Sequence, residues 1–573
     1  MELKEFIKIA RGEQAADLVL KNARLINVYS SEIYLTDIVI AGERIAALGP
    51  GYQGSETIDL DGRYVCPGFI DAHVHIESSM VPPREFARVV LPHGVTTVIS
   101  DPHEIANVLG LEGIRFMLQD AKYGPLSMFV DAPSCVPASN METSGSQLEF
   151  YDLATLLGND WVIGLGEVMN YPGVIHGDRR ILQKLQAFRG KIIDGHAPGI
   201  HGNDLNAYCA AGIGSDHECV SLEEGLAKLR MGMTIFVREA TNAHNLEPLL
   251  GLFNPQYASR ICLCTDDRHP ADLMDEGSID HMIRYAIANG VPPMLAIRTG
   301  TLNPAEYFRL YDRGAVAPGK RADLVIFSNL EDLRPELVFR GGRLAAQGGQ
   351  MYPWEQPQNS TKARGTINVK LESINFKIPG TGNKMHVIGM IPDQLITENR
   401  IEEASIQDGY AVADAERGLA KIAVIERHFG TGQVGLGFIH GLGLKAGAIA
   451  GTVAHDHHNI LVAGMDDESM VQAVHEIVSM QGGMVVVGPE GVRARLPLPI
   501  AGLMSDKPIK VVREQYDQLA LAAADLGSTL HDPFMALSFM ALSVIPSLKL
   551  TDLGLIDVEK FELTSLFVQE AGL

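Results

Sequence analysis

The residues best able to do chemistry stand at the ends of apolar, β-branched runs. His73-Val74-His75 closes GFIDAHVH, Glu167 lies at the end of VIGLGEV, His196 at the end of KIIDGHA, His217 in IGSDHE and Asp266-Asp267 at the end of RICLCTDD. Asp101 ends VTTVISD and is followed by His103 and Glu104. Imidazoles and carboxylates are borderline-to-hard ligands that suit Zn, Fe or Mn. The spacing of His73 and His75 has a physical reason: residues two apart on a strand point to the same side, so both rings can grip one ion. Two histidines in a polar loop would share that spacing, but Pro67-Gly68-Phe69-Ile70-Asp71 leads directly into this pair. The other runs end in suitable ligands as well.

Such residues need a scaffold that brings many strand ends to one place. Residues 67–310 alternate the runs GFIDAHVH, VTTVISD, LSMFVDA, VIGLGEV, KIIDGHA, IGSDHE, TIFVREA and RICLCTDD with helix-period segments such as EIANVLGLEGIRFMLQDAKYG, RRILQKLQAF and LEEGLAKLRMG. Eight strands alternating with helices over about 250 residues have the rhythm of a (β/α)8 TIM barrel, whose functional groups sit at the C-terminal strand ends. A doubly wound open sheet shares the local pattern; the eight repeats and the strand-end placement favour the barrel. Before it, ADLVLKNARLINV, DIVIAGERIAALG and ETIDLDGRYVCPG read as short strands broken by Gly, Asn and Asp. After it, ADLVIFSNLEDLRPELVFRGGRLAAQG echoes the first of them. We therefore expect residues 1–66 and 311–346 to form one small β-sandwich domain with the barrel inserted between its halves. Residues 347–365, polar and Pro-containing, read as a linker, and 366–573 as an α+β C-terminal domain.

Composition bounds the partners. A chain of 573 residues exceeds one domain of roughly 100–200 residues. With 47 Lys and Arg against 70 Asp and Glu, the net charge is −23. That field repels phosphate and argues against nucleic acid or an anionic membrane surface as partner; a small neutral substrate in a shielded pocket is unaffected. The six cysteines are expected as reduced thiols in a cytoplasmic protein, since a large core needs no disulfides. Cys262 and Cys264 alternate along one run and read as buried small side chains. The N-terminal stretch lacks the apolar region and cleavage site of a secretory signal, and no run of about 18 apolar residues could span a membrane.

Taken in order, PGFIDAHVHIESS, GLGEV, DGHAPG, SDHE and CTDD resemble the amidohydrolase superfamily, and within it the bacterial adenine deaminases, over nearly the whole chain. The resemblance implies two divalent metal ions per chain, manganese or iron favoured and zinc a further candidate. It implies that His73 and His75 hold the first ion and His196 and His217 the second, that Glu167 bridges them, and that Asp266 binds the first and faces the attacking water. Many relatives bridge their metals with a carboxylated lysine from the fourth strand. Here that strand ends GLGEV, and Lys184 and Lys191 come one segment later, so the bridge falls to Glu167. Two dications would acidify a shared water enough for attack near neutral pH. For adenine the attacked atom is C6, and the products are hypoxanthine and ammonia. An acid must protonate the ring nitrogen, and ammonia needs a proton to leave. Catalytic roles are expected of Glu167, His217, Asp266 and Asp267, with one of the two aspartates as proton shuttle. The resemblance also implies a purine base as partner, the free base preferred over the nucleoside. A homodimer or higher homo-oligomer is the expected assembly.

Other residues carry open alternatives. Asp101, His103 and Glu104 could read the purine edge or donate the ring proton, or could serve as hydrogen-bond supports or a helix cap. Glu77, Ser78 and Ser79 could hold a helix N-terminus or form the pocket wall. Arg238-Glu239 reads as an internal ion pair, and His176, His201, His269 and His281 as surface or loop histidines. GTGQVGLGFIHGLGLKAGAIAG lacks the acidic residue about 20 positions on that a dinucleotide site requires. Ala454-His455-Asp456-His457-His458-Asn459 reads either as a solvated loop or as a lid on the barrel mouth, with one of its histidines, His457 or His458, touching substrate or helping to form an accessory metal site. Two other functions compete: hydrolysis of a cyclic amide or dipeptide, which usually goes with a lysine bridge, and non-catalytic metal binding, which lost ligands would betray.

Overall fold

The computed structural model describes residues 1–355, 359, 362–392 and 394–568. Parts of the expected linker and C-terminal domain, at 356–358, 360, 361, 393 and 569–573, lie outside the described residues. Each of the eight runs singled out above forms a strand: β1 Phe69–Val74, β2 Val95–Ser100, β3 Ser127–Ala132, β4 Val162–Val168, β5 Ile192–Gly195, β6 Ser215–Asp216, β7 Thr234–Arg238 and β8 Ile261–Cys264. All neighbours run parallel, β5-β4-β3-β2-β1 in one sheet and β6-β7-β8 in another. The sheets approach at both edges. Val74, at the end of β1, forms a parallel bridge with Asp266 just past β8. Gly214 N–H, ahead of β6, donates to the Ile193 carbonyl of β5 at 2.9 Å. The result is a curled parallel sheet in a five-stranded and a three-stranded part, where a continuous eight-strand ladder was expected. With only two residues, β6 is too short to carry the ladder across that edge.

Buried on both faces, these strands need no polar alternation; β1, β2, β3, β7 and β8 have no exposed residue. Ile70, Ile99, Phe129 and Phe236 pack with Cys262 and Cys264 inside the curl, and all six cysteines are free thiols. Helices cover the outside. Arg179–Ala187 starts where Asp178 accepts from the Arg180 and Ile181 N–H groups, and it buries Ile181, Lys184 and Leu185 at i, i+3, i+4 spacing. The long helical segment after β2 splits into His103–Leu109 and Leu111–Ala121. Gly110, at φ 58°, makes the break that a residue with a Cβ would resist.

Strands from both flanks share one nine-stranded sheet, joined where Tyr64–Pro67 pairs antiparallel with Leu324–Phe327. It runs on to Gln350–Met351, into the stretch expected as linker. The C-terminal region carries an eight-stranded sheet between residues 384 and 497, flanked by helices Asp467–Met480 and Ile509–Asp525. Apolar residues of this region, Ile422, Leu461 and Leu519 among them, join the same hydrophobic core as β1–β8. Among the described residues no helix is long and apolar enough to cross a membrane.

Candidate active site

The strand ends converge. His73 and His75 bring their Nε2 atoms within 3.1 Å of each other. His75 Nδ1–H donates to the Asp101 carbonyl at 2.9 Å, which leaves Nε2 with the lone pair. Glu167 divides its carboxylate: Oε1 lies 3.2 Å from His75 Nε2 and 3.7 Å from His73 Nε2, while Oε2 lies 2.6 Å from His196 Nδ1 and 3.3 Å from His217 Nε2. Asp266 Oδ1 stands 3.0 Å from His75 Nε2. The His73 and His217 rings stack with centroids 4.4 Å apart. All six residues are buried, His196 the most exposed at 7%.

The backbone that positions these groups is tightly specified. Asp101 Oδ2 accepts the Glu167 N–H at 3.0 Å. A Cβ on Gly166 would meet that oxygen at 2.0 Å, so the second glycine of GLGEV is required for Asp101 to reach Glu167. Asp71 accepts the Thr265 and His73 N–H groups and ties β1 to the end of β8; burial lifts its carboxyl to about 7. Asp266 has φ 57°, in the left-handed region that costs a side-chain-bearing residue roughly 1–2 kcal/mol. Its N–H bonds to the His73 carbonyl at 3.0 Å and its carbonyl accepts from His75 at 3.3 Å, so β1 holds the strained residue in place.

Electrostatically the site is a nest of carboxylates around imidazoles. Burial raises the Glu167 carboxyl, but His196, then His217 and His75, hold it well below the ordinary carboxylate range. Against the same burial, Arg238 and then His75 hold Asp266 well down. Nitrogens 3.1 Å apart, faced by two ionised carboxylates, need a positive charge between them. Triads such as His73–His75–Glu167, Glu167–His196–His217 and His73–His217–Asp266 each gather their ligand atoms within 4.8 Å. The donor set fits divalent cations. Lys184 Nζ instead donates to the Ser134 carbonyl and Lys191 Nζ to that of Val162, so neither serves as a bridge.

The remaining expected residues fall as follows. Glu77 Oε1 accepts the Ile105 N–H at 3.2 Å, in the first turn of helix His103–Leu109; burial lifts its carboxyl to about 7. Ser79 bonds the Ile76 carbonyl, and Ser78 Oγ donates to Asp267 Oδ1. Asp267 is half-buried where Asp266 is fully buried. His103 Nδ1 lies 3.4 Å from Glu167 Oε1, and its Nε2 3.2 Å from Glu104 Oε1. Asp101, His103 and Glu167 form a further triad of cation-ligating type.

Three expectations need correction. Arg238 pairs with Glu218 and Asp266 rather than with Glu239, because β7 aims its side chain inward. His269 lies in a loop, one of its two expected settings, but not on the surface: it is buried and pairs with Asp532 of the C-terminal region at 2.8 Å. The segment 454–459 is no solvated loop, since every one of its residues is buried. His455 Nδ1 and His458 Nε2 both contact Glu104, and Asn459 Nδ2 donates to the Thr143 carbonyl. Within that segment His457 Nε2 is buried with no hydrogen-bond partner among the described residues. Its Nδ1 accepts the Asn459 N–H, its carbonyl accepts from His428, and burial among other cationic groups drops it to about 3. His176 and His201 are exposed as expected. Sequence reasoning missed Glu218, whose Oε1 lies 3.5 Å from both His196 Nδ1 and His217 Nε2; its place immediately after His217 in SDHE was the available clue.

Known proteins resemble this chain along nearly its full length. The model of the amidohydrolase family matches residues 64–345, and that of the adenine deaminase C-terminal domain matches 394–562. The adenine deaminase of Desulfatibacillum aliphaticivorans is 47% identical over 98% of this chain and 99% of its own. Adenine deaminase 2 of Carboxydothermus hydrogenoformans is 47% identical over 98% of each. Among solved structures, a crystal structure of an adenine deaminase covers 57% of this chain and 99% of its own at 20% identity, with a TM-score of 0.45. On the identity shared along nearly its full length, the chain belongs to the adenine deaminase family of amidohydrolases.

Proposed function

We propose that the chain hydrolyses adenine to hypoxanthine and ammonia at a centre holding two divalent ions, manganese or iron favoured and zinc a further candidate. The observation that carries this reading is the divided carboxylate of Glu167, with one oxygen toward His73 and His75 and the other toward His196 and His217. His73, His75 and Asp266 would hold one ion, His196 and His217 the other, and Glu167 both. Divalent ions there would acidify a neighbouring water and so supply a nucleophile for C6 near neutral pH. Asp266 has one oxygen facing His75 and the other held by Arg238 at 2.7 Å, which suits a fixed negative charge. Asp267, steadied by Ser78 and partly open to solvent, is the acid placed to move protons between the water, ring nitrogen N1 and departing ammonia.

In this reading β1–β8 make one (β/α)8 barrel, supported by the edge contacts Val74–Asp266 and Gly214–Ile193. Residues 1–66 with 311–346 form its companion β-domain and 366–573 the C-terminal domain. The free, mostly buried thiols suit a cytoplasmic enzyme, and a homodimer or higher homo-oligomer is the assembly we assign. The test is ammonia release from adenine and from adenosine, before and after chelation and with Mn, Fe or Zn restored. Comparable kcat/KM for base and nucleoside refutes the substrate assignment, and activity surviving complete metal removal refutes the centre.

A further inference from the structure

His455 reaches the site from the C-terminal region and is 3% exposed. Its Nδ1 lies 2.7 Å from Glu104 Oε1. Its ring stacks on Phe539 with centroids 4.9 Å apart and planes 21° apart. One face on an aromatic ring and one edge tied to a carboxylate fix both the plane and the rotation of the imidazole. The remaining polar atom, Nε2, is buried and has no hydrogen-bond partner among the described residues. Buried groups of this kind are costly and call for a partner. Burial pushes the imidazole down, but Glu104, then Asp267 and Asp456, lift it to about 9. Near neutral pH, Nε2 therefore offers a proton.

A chain of contacts locates this donor relative to the centre. Glu167 Oε1 is 3.4 Å from His103 Nδ1, His103 Nε2 is 3.2 Å from Glu104 Oε1, and Glu104 meets His455. His455 thus stands two side chains, His103 and Glu104, away from Glu167. A purine whose C6 faces Glu167 and Asp266 presents N3, the ring atom directly across from C6, away from those carboxylates. N3 is an acceptor with no proton of its own in adenine.

We propose that His455 is a substrate-contacting residue whose Nε2–H donates to N3 of the purine, with Glu104 as the positioning residue that orients its ring. This rests on the reading of adenine as substrate. It assigns recognition of the purine edge farthest from the chemistry to the C-terminal region.

Equilibrium binding of the product and its N3-lacking analogue tests the contact. Inhibition constants of hypoxanthine and 3-deazahypoxanthine are measured against adenine deamination in the wild type, His455→Phe and His455→Gln. The phenyl ring keeps the stack on Phe539 and lacks a donor; the Gln amide restores one. The wild type should bind hypoxanthine about tenfold or more tighter than the analogue, as loss of one buried hydrogen bond implies. His455→Phe should bring the ratio to within about threefold of unity, and His455→Gln should recover part of it. A merely structural role for His455 would weaken both ligands alike and leave the ratio intact, which overturns the proposal. A wild-type ratio near one overturns it whether or not the variants fold. A wild type that releases no ammonia from adenine overturns the function itself, whereas an active enzyme that binds both ligands alike overturns only the N3 contact.

Discussion

Glu167→Gln tests the centre most directly, because it keeps the shape of the side chain while removing its charge. An amide has one oxygen and one NH2 group, so only one of the two histidine pairs keeps an oxygen facing it. Glu167 Oε1 lies 3.2 Å from His75 Nε2, and Oε2 lies 2.6 Å from His196 Nδ1. Any cation seated among either pair is therefore within about 4 Å of the carboxylate. At an effective dielectric of about 20, unit charges about 4 Å apart interact by about 4 kcal/mol. That is about a thousandfold in affinity or rate, and more for a dication. We expect the variant to lose at least one metal ion per chain and to turn over at least about a thousandfold more slowly. The assay pairs elemental analysis of dialysed protein with ammonia release from adenine. A variant that kept two ions and turned over within about tenfold of wild type, about 1.4 kcal/mol in barrier, would refute the bridging role.

Asp266→Asn should abolish turnover, since it removes the charge that faces His75 and leaves Arg238 partly uncompensated, and Asp267→Asn, which removes a proton carrier but no charge from between the histidines, should be milder; steady-state kinetics showing the reverse order would overturn Asp266 as the more essential of the pair. Arg427→Met should destabilise the protein by about 3 kcal/mol or more and raise the KM for adenine with metal content unchanged, because the buried guanidinium bonds the Thr366, His458 and Ala501 carbonyls and so anchors segment 454–459. An unchanged melting temperature and KM would release that segment from Arg427. The buried His269–Asp532 pair predicts a pH dependence. His269 is raised, its burial outweighed by Asp532, and Asp532 is lowered, its burial outweighed by His269. The Asp532 contribution is complete above the unfolded value of about 3.9 and fades as pH falls through its lower folded value; that of His269 is complete below about 6.5 and fades as pH rises through its higher folded value. The melting-temperature deficit of Asp532→Asn should therefore be largest between about pH 4 and 6.5 and shrink on either side, and a pH-independent deficit would contradict the pairing.

The strands and the His, Asp and Glu residues at their ends were legible because both obey local rules. An apolar run of strand length bounded by polar residues is buried on both faces, and a functional group at its C-terminal end has one place to go. Glu167 was singled out by its strand-end position and by the family resemblance, and the part played by Gly166 became visible only when Asp101 was seen to approach it. What stayed hidden was pairing at long range. The burial of loop residue His269 was hidden because its partner, Asp532, lies far along the chain. The sequence left segment 454–459 open between a solvated loop and a lid for the same reason: nothing within it betrays Glu104. His457 and His458, adjacent and chemically identical, differ in their partners: His458 Nε2 meets Glu104, and His457 Nδ1 accepts the Asn459 N–H. No periodicity separates them, since an irregular backbone, here with His458 at φ 50°, decides which way each ring points.

The sheet shared by the two flanks has a consequence for synthesis. Arg63 and Glu336, paired across it, are 273 residues apart in the chain. At about 5–20 residues per second, a ribosome needs about 15–55 s to make what lies between them. Throughout that interval the first strands have an open edge, and their apolar face, with Leu20, Leu25 and Val65, lacks Leu324 and Ile326, against which it finally packs. A nascent chain in that state is a substrate for chaperones and a template for unwanted strand pairing. Slowing translation within the strand–helix repeats should therefore lower soluble yield without altering the activity of the molecules that do fold.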